Sequence, residues 1–308
     1  MQIDAATLVL FGWIINSTLQ VGTPLVLAAL GGMFSERSGV VNIALEGIML
    51  MGAFSAVAAT YYTDNPWVGV FVAVISGVCL AAVHAIICVK LKGNQIVSGT
   101  GIILFAAGFT TLMLFVIWGL RGVSPGVNSL PEIYLPGIGY LSPLIFIMFA
   151  LVPICWYVLY RTPFGLRLRV AGEDPSTLDT AGISVERYRI YGVLLSGALA
   201  ALGGAQMSIG FGSWFGKGMT SGAGFIALAA MIFGNWNPIG ILIAGLFFGF
   251  TSGINYALQI APGWDWLVGV GNFIQMIPYV SVIIALGIIR RSIPPKAIGV
   301  PYIKEKEI

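Results

Sequence analysis

Nine apolar runs, separated by short polar breaks, take up most of the 308 residues. They cover roughly Ala6 to Phe34, Val41 to Tyr61, Trp67 to Val89, Ile96 to Leu120, Leu141 to Tyr160, Ile190 to Gly210, Gly222 to Phe233, Ile239 to Leu258 and Leu267 to Ile289. Most approach the length at which an α-helix crosses about 30 Å of hydrocarbon. In lipid no water pairs with backbone N–H and C=O groups, so a crossing segment must satisfy them internally, as a helix does. Composition agrees: 58% of residues are hydrophobic and only 9% charged, against about 25% charged in soluble proteins. The expectation is an all-α integral membrane protein, a polytopic helical bundle of about 8–10 transmembrane segments, built as one domain over residues 1–308. Two runs are irregular. The first is long, and its "VGTP" is a place to split it. The seventh has about a dozen apolar residues, too few to cross, which predicts a half-helix. Broken helices at membrane depth occur where they are buried in protein or line a cavity.

Lys and Arg stay on the cytoplasmic side of a membrane. With the C-terminal tail "RRSIPPKAIGVPYIKEKEI" placed inside, 13 of the 15 basic residues fall inside and only Arg121 and Lys217 outside. This predicts an outside N-terminus and a cytoplasmic C-terminus in a multi-pass membrane protein. The start, "MQIDAATLVLFGW", has no basic region before its apolar run and does not read as a cleaved signal peptide. Cys79, Cys88 and Cys155 lie inside apolar runs and give neither a disulfide framework nor metal-ligand spacing. His84, the one histidine, reads as a packed, hydrogen-bonded helix residue. The many glycines read as close helix contacts.

Two polar stretches stand out from this background. The first, "ERSGVVNIALEG" (residues 36–47), carries Glu36 and Arg37 where the first run ends, an expected interfacial ion pair. Asn42 and Glu46 follow, four residues apart and so on one helix face. A carboxylate facing lipid costs a few kcal/mol. Glu46 is therefore expected near the cytoplasmic interface, turned inward, and partnered by Arg37 or by a backbone N–H at a broken helix end. Its role is either a clasp on that break or contact with a polar solute. Asn42, Glu46, Gln95, Ser98 and Asn235 are candidate pathway residues; Asn16, Gln20, Asn94, Asn255 and Gln275 share their polar-within-apolar setting. Trp118, Trp214 and Trp236 offer stacking surfaces, although tryptophan at a membrane border is usually an anchor.

The second stretch is the loop at 161–189, "RTPFGLRLRVAGEDPSTLDTAGISVERYR". It is long and charged for a membrane protein loop. Its centre reads as a short helix, with Asp174 as N-cap, Pro175 at the first helical position and Gly182 as the stop. Two turns of helix with few apolar residues are not stable alone, so the segment needs something to pack against.

This loop and its continuation, "GLRLRVAGEDPSTLDTAGISVERYRIYGVLLSGALAALGGA", resemble the cytoplasmic coupling loop of ABC importer permeases. The likeness is to the branch that handles branched-chain amino acids, simple sugars and nucleosides. The pattern is carried by Gly165, Arg169, Gly172, Asp174, Pro175, Ala181, Gly182, Ile183, Ser196 and Gly197. The stretch around "ERSGVVNIALEG" resembles the first signature of the simple-sugar and nucleoside permeases. "GFIALAAMIFGNWNPIGILIAGLFFGF" resembles their late signature. The resemblance implies a permease subunit of an ATP-driven importer. An ATPase subunit docks on the loop at Gly165, Arg169, Gly172, Glu173, Asp174, Pro175, Ser176, Thr177, Ala181 and Gly182. A second permease completes a homo- or heterodimer, and an extracytoplasmic binding protein delivers a nucleoside or simple sugar.

The chain has no Walker-type phosphate loop, so it is expected to bind no cofactor and catalyse no reaction, with ATP hydrolysed by the partner subunit. Nothing points to nucleic acid or to a metal. The alternatives are a branched-chain amino acid permease of the same type and a stand-alone secondary transporter or channel. The latter needs intramembrane ionisable residues, of which Glu46 is almost the only candidate, and leaves the loop at 161–189 without a task.

Overall fold

A computed structural model describes residues 5–260, 276, 280, 281, 283 and 292–303. The ninth apolar run, with Gln275, lies almost wholly outside the described residues. The helices are α1 (Ala5–Arg37), α2 (Leu45–Thr63), α3 (Pro66–Ala85), α4 (Gln95–Trp118), α5 (Pro143–Arg161), α6 (Pro163–Glu173), α7 (Pro175–Thr180), α8 (Val185–Ala205), α9 (Ala223–Phe233) and α10 (Pro238–Ile260). Among the described residues six helices are long and apolar enough to cross a membrane: α1 to α5 and α8, with α3 and α8 each prolonged by a π turn. α1 runs unbroken for 33 residues with Pro24 inside it, so "VGTP" does not split the first run. α9, at 11 residues, is the short half-helix that the seventh run predicts.

The helices sort into an inner and an outer set. The spanning window of α2 is 78% buried and that of α4 only 22%. α1, α2 and α8 form the centre; α3, α4 and α5 present apolar side chains outward, as lipid-facing helices do. Small residues let the inner helices touch. Gly77 of α3 and Gly197 of α8 face each other, each leaving no room for a Cβ beside the other's carbonyl oxygen. At Gly204 of α8 an added Cβ would run into the Met49 carbonyl of α2, which is backbone and cannot move aside cheaply. Gly204→Leu is expected to destabilise the protein by about 3 kcal/mol, the upper range for overpacking a core, read as a lowered Tm in detergent.

One element departs from the all-α expectation. β1 (Ile133–Leu135) and β2 (Gly139–Leu141) form an antiparallel hairpin in the linker between α4 and α5. Asn16 of α1 anchors it by donating to the Ile138 and Tyr140 carbonyls at 3.2 and 2.9 Å. The same linker zips to the one before α9: Ser124 N–H donates to the Phe215 carbonyl at 2.8 Å, Val127 N–H to the Ser213 carbonyl at 2.7 Å, and Leu130 N–H to the Ile209 carbonyl at 2.8 Å. The two polar linkers thus satisfy one another's backbone and close the end of the bundle opposite the charged loop.

Candidate solute pathway and coupling site

α1 stops at Arg37 because the chain turns at Ser38 and Gly39, where φ is +95°. The Ser35 hydroxyl closes the turn by donating to the Val40 carbonyl at 2.7 Å. Residues 38–44 then re-enter the bundle without regular structure, leaving backbone groups that buried side chains must pair. Val41 N–H donates to Gln95 Oε1 at 2.7 Å. The Val41 carbonyl lies 3.0 Å from His84 Nε2, whose Nδ1 lies 2.9 Å from the Ser98 hydroxyl. Nε2 is therefore the protonated nitrogen, and Ser98 donates to Nδ1. Asn42 donates from Nδ2 to the Ser196 hydroxyl of α8 at 2.8 Å. Asn42, Gln95 and Ser98 thus gather on one irregular segment. Asn42 Oδ1 and Gln95 Nε2 are buried and make no hydrogen bond among the described residues.

This re-entry carries Glu46 to the N-terminus of α9. Glu46 Oε1 accepts from the Thr220 hydroxyl at 2.6 Å and the Gly222 N–H at 3.0 Å; Oε2 accepts from the Gly224 N–H at 2.7 Å. Gly224 permits the approach, since a Cβ there would lie 2.5 Å from the Glu46 Cα. The partner is thus a backbone N–H at a broken helix end, one of the two expected. Glu46 stands in the first turn of α2, and α9 runs about 16 Å from this contact to the turn that Arg37 holds.

At the other end of α9, Arg37 donates from Nε to the Trp236 carbonyl at 3.2 Å and from Nη2 to the Asn235 carbonyl at 3.3 Å. Asn235 and Trp236 both hold left-handed backbone, at φ 52° and 50°, so these carbonyls belong to a strained turn. Glu36 accepts from Trp236 Nε1 at 2.7 Å and is buried. The expected Glu36–Arg37 pair is therefore replaced by two separate contacts, because each side chain finds a partner on the turn after α9. A carboxylate at the N-terminus and a guanidinium at the C-terminus each match the helix dipole. One short sequence stretch holds both ends of the half-helix.

In the charged loop, α7 forms where its cap and stop residues predict. Asp174 Oδ1 accepts from the Ser176 hydroxyl at 2.5 Å and the Thr177 N–H at 3.3 Å; Oδ2 accepts from the Thr177 hydroxyl at 2.6 Å. These bonds, that from Ser176 foremost, lower the Asp174 pKa to about 2. A depressed carboxylate keeps its contribution at every pH above its ordinary value and loses it only as pH falls toward about 2. Leu178 anchors α7 among Ala171, Val185, Tyr188 and Tyr302, while Asp174, Ser176, Thr177, Ala181 and Gly182 stay exposed. Gly165 packs on the last turn of α5, and Gly172 on the Arg37 carbonyl and Gly39 N–H. Arg169 lies over the Tyr160 ring at 5.0 Å. Arg37 Nη1 reaches Glu173 at 3.7 Å, so the loop touches the residue that holds α9.

Sequence reasoning missed a strap across this end. Residues 292–303 bind the loop through Ala297 N–H to the Gly172 carbonyl, 2.8 Å, and Lys296 N–H to Glu173 Oε2, 3.3 Å. They bind the α1 turn through Gly299 N–H to the Gly39 carbonyl, 3.1 Å. Ile293 N–H donates to Asn235 Oδ1 at 2.9 Å, and buried Arg189 donates to the Val300 carbonyl at 2.7 Å. Asn235 thus sits with the strap, apart from the other pathway candidates. No pattern in a Pro-rich tail announces backbone pairings of this kind.

A cavity of about 210 Å³ opens beside the Glu46 clasp. Gln20, Phe211, Met219, Thr220, Ser221 and Ser252 are among its lining residues. Larger hollows, about 630 Å³ between α3 and α4 and about 420 Å³ among α3, α6 and the outward side of α8, have almost wholly apolar walls and read as lipid-facing grooves. Gln20 was legible as an amide inside an apolar run; Thr220 and Ser252 carry no comparable signal.

Comparison with known proteins bears on all of this. Residues 14–288 match the family described as branched-chain amino acid transport system / permease component. The chain is 39% identical to the guanosine ABC transporter permease protein NupQ of Bacillus subtilis (strain 168), over 95% of this chain and 97% of that protein. It is 38% identical to the nucleoside ABC transporter permease protein NupC of Lactococcus lactis subsp. cremoris (strain MG1363), again over 95% and 97%. It is 36% identical to the putative glucose ABC transporter permease protein TsgC13 of Haloferax volcanii, over 80% of this chain and 78% of that one.

Proposed function

The chain belongs to the permease-component family of branched-chain amino acid transport systems, a multi-pass membrane transport component and not an enzyme, and on that premise we propose that it imports nucleosides across the plasma membrane. The observation that carries the substrate is the likeness, over nearly the whole chain, to permeases of guanosine and nucleosides. An ATPase docks on the exposed face of α7, with Gly165, Arg169, Gly172 and Glu173 setting the pose of that helix and Asp174, Pro175, Ser176, Thr177, Ala181 and Gly182 forming its contact face. A second permease completes the pathway, and a binding protein delivers the solute. Asn42, Glu46, Gln95 and Ser98 shape the wall of the path, and Asn235 belongs to the turn that moves with the coupling loop.

Two experiments test this. The first compares uptake of labelled guanosine and labelled glucose in cells with and without the gene. Gene-dependent guanosine uptake, competed by other nucleosides, is expected; glucose uptake alone would replace nucleoside by sugar. The second examines docking. Ala181 is exposed at the end of α7, so Ala181→Arg should leave permease abundance unchanged yet cut copurifying ATPase at least tenfold, since an unpaired charge in an interface costs several kcal/mol. Unchanged copurification would move the docking face elsewhere.

A further inference from the structure

The cavity beside the Glu46 clasp has a chemistry that selects its occupant. Its polar lining consists of the Gln20 amide and the hydroxyls of Thr220, Ser221 and Ser252, and no charged side chain among the described residues lines it. Gln20 is 6% exposed; its Oε1 accepts from Gln206 at 2.9 Å, while its Nε2 makes only a long, 3.4 Å contact to the Tyr140 carbonyl. The Ser252 hydroxyl makes no hydrogen bond among the described residues, although neighbouring Thr251 pays its own back to the Phe248 carbonyl. Two groups therefore face the cavity with bonding capacity to spare.

The half-helix end that forms one wall would ordinarily attract an anion, since half-helix N-termini at membrane depth are where transporters hold substrate carboxylates. Here that place is filled from within. Gly222 and Gly224 N–H groups point at Glu46, Ala223 N–H at the Thr220 carbonyl and Phe225 N–H at the Gly222 carbonyl. A solute carboxylate arriving at this wall meets no free donor there and a resident negative charge. A neutral solute rich in hydroxyls meets an amide and hydroxyls, with the Phe211 and Met219 side chains for its apolar face.

We infer that this cavity is a solute subsite for neutral, hydroxyl-bearing molecules, read by Gln20 and Ser252, with Glu46 occupying the anion place that an amino acid would need. The inference rests on the permease reading and adds the residues that set its selectivity. It is tested by initial uptake of labelled guanosine and labelled 2′,3′-dideoxyguanosine in cells carrying the whole transport system. Each rate is normalised to permease abundance in wild type, Gln20→Leu and Ser252→Ala. The binding protein is the same in every strain, so a change in the guanosine-to-dideoxyguanosine ratio belongs to the permease.

The ratio is expected to fall about threefold to tenfold in at least one variant, the worth of one or two hydrogen bonds. Ser252→Ala removes a single oxygen and serves if Gln20→Leu does not fold. An unchanged ratio in a folded Ser252→Ala and a folded Gln20→Leu would overturn the assignment. Gene-dependent uptake of labelled leucine by the wild type would overturn the neutral-solute selectivity. If the wild type takes up glucose and no nucleoside, the nucleoside reading fails by itself, and the glucose to 2-deoxyglucose ratio then decides the cavity assignment in the same variants.

Discussion

Glu46→Ala is expected to remove most of the folded permease and all measurable uptake. The carboxylate accepts three hydrogen bonds, from the Thr220 hydroxyl and from Gly222 and Gly224 N–H, at 2.6 to 3.0 Å. Bonds to a charged acceptor contribute about 1.5–3 kcal/mol each, and donors left unpaired in a medium without water keep their desolvation penalty. A loss of about 4–6 kcal/mol is therefore expected, comparable with the whole stability of many proteins. The alanine also leaves the positive end of α9 uncompensated. Glu46→Gln separates the terms: its amide oxygen still accepts from one or two donors, so a loss of about 2 kcal/mol is expected. Thermal unfolding of the purified complex in detergent measures both. A Glu46→Ala protein with wild-type Tm would mean that the clasp contributes nothing.

Arg37→Met is expected to act differently, on transport more than on stability. Its bonds to the Asn235 and Trp236 carbonyls are long, and its partner Glu173 is 3.7 Å away with a side chain 41% exposed, so the lost stability should be only about 1–2 kcal/mol. Yet Arg37 is where the loop at 161–189 meets the turn that ends the half-helix. Two consecutive non-glycine residues, Asn235 and Trp236, hold left-handed backbone. Such residues cost about 1–3 kcal/mol each and persist only when neighbours hold them. Without Arg37 the turn relaxes, and movement of α7 no longer reaches α9. Uptake should fall at least tenfold while ATP hydrolysis by the docked complex stays within about twofold, since the α7 face is untouched. Equal losses of uptake and hydrolysis would place Arg37 in assembly instead. Asn235→Gly in the Arg37→Met background, which relieves the strain at 235, should recover Tm but not uptake.

The parts of this arrangement visible in the sequence were those written in local chemistry. Asp174, Pro175 and Gly182 specify α7 because cap, first-turn proline and stop are short-range devices. The half-helix α9 is legible from the length of its apolar run. That Glu46 would turn inward to a partner followed from the cost of a carboxylate in lipid, and a broken helix end was one of the two partners expected. The distances over which polar groups then find one another were not legible. Glu46 and Gly224 are 178 residues apart in sequence, and Glu36 and Trp236 are 200 apart. No periodicity encodes such pairings. The re-entry at 38–44 was not legible for a related reason: "SGVVNIA" is apolar enough to read as helix, and its backbone is paired by Gln95 and His84 from other helices, while the Asn42 side chain reaches Ser196. The hairpin at 133–141 and the strap at 292–303 rest on backbone pairings, to which side-chain pattern gives no clue.

The central claim is that this chain moves nucleosides when an ATPase acts on α7. The direct measurement is guanosine accumulation in proteoliposomes that hold the purified complex, with binding protein outside and ATP sealed inside. The account predicts uphill accumulation that needs ATP, that stops when a non-hydrolysable analogue replaces it, and that is abolished by Ala181→Arg. Accumulation that proceeds without ATP, or that survives Ala181→Arg undiminished, would contradict it.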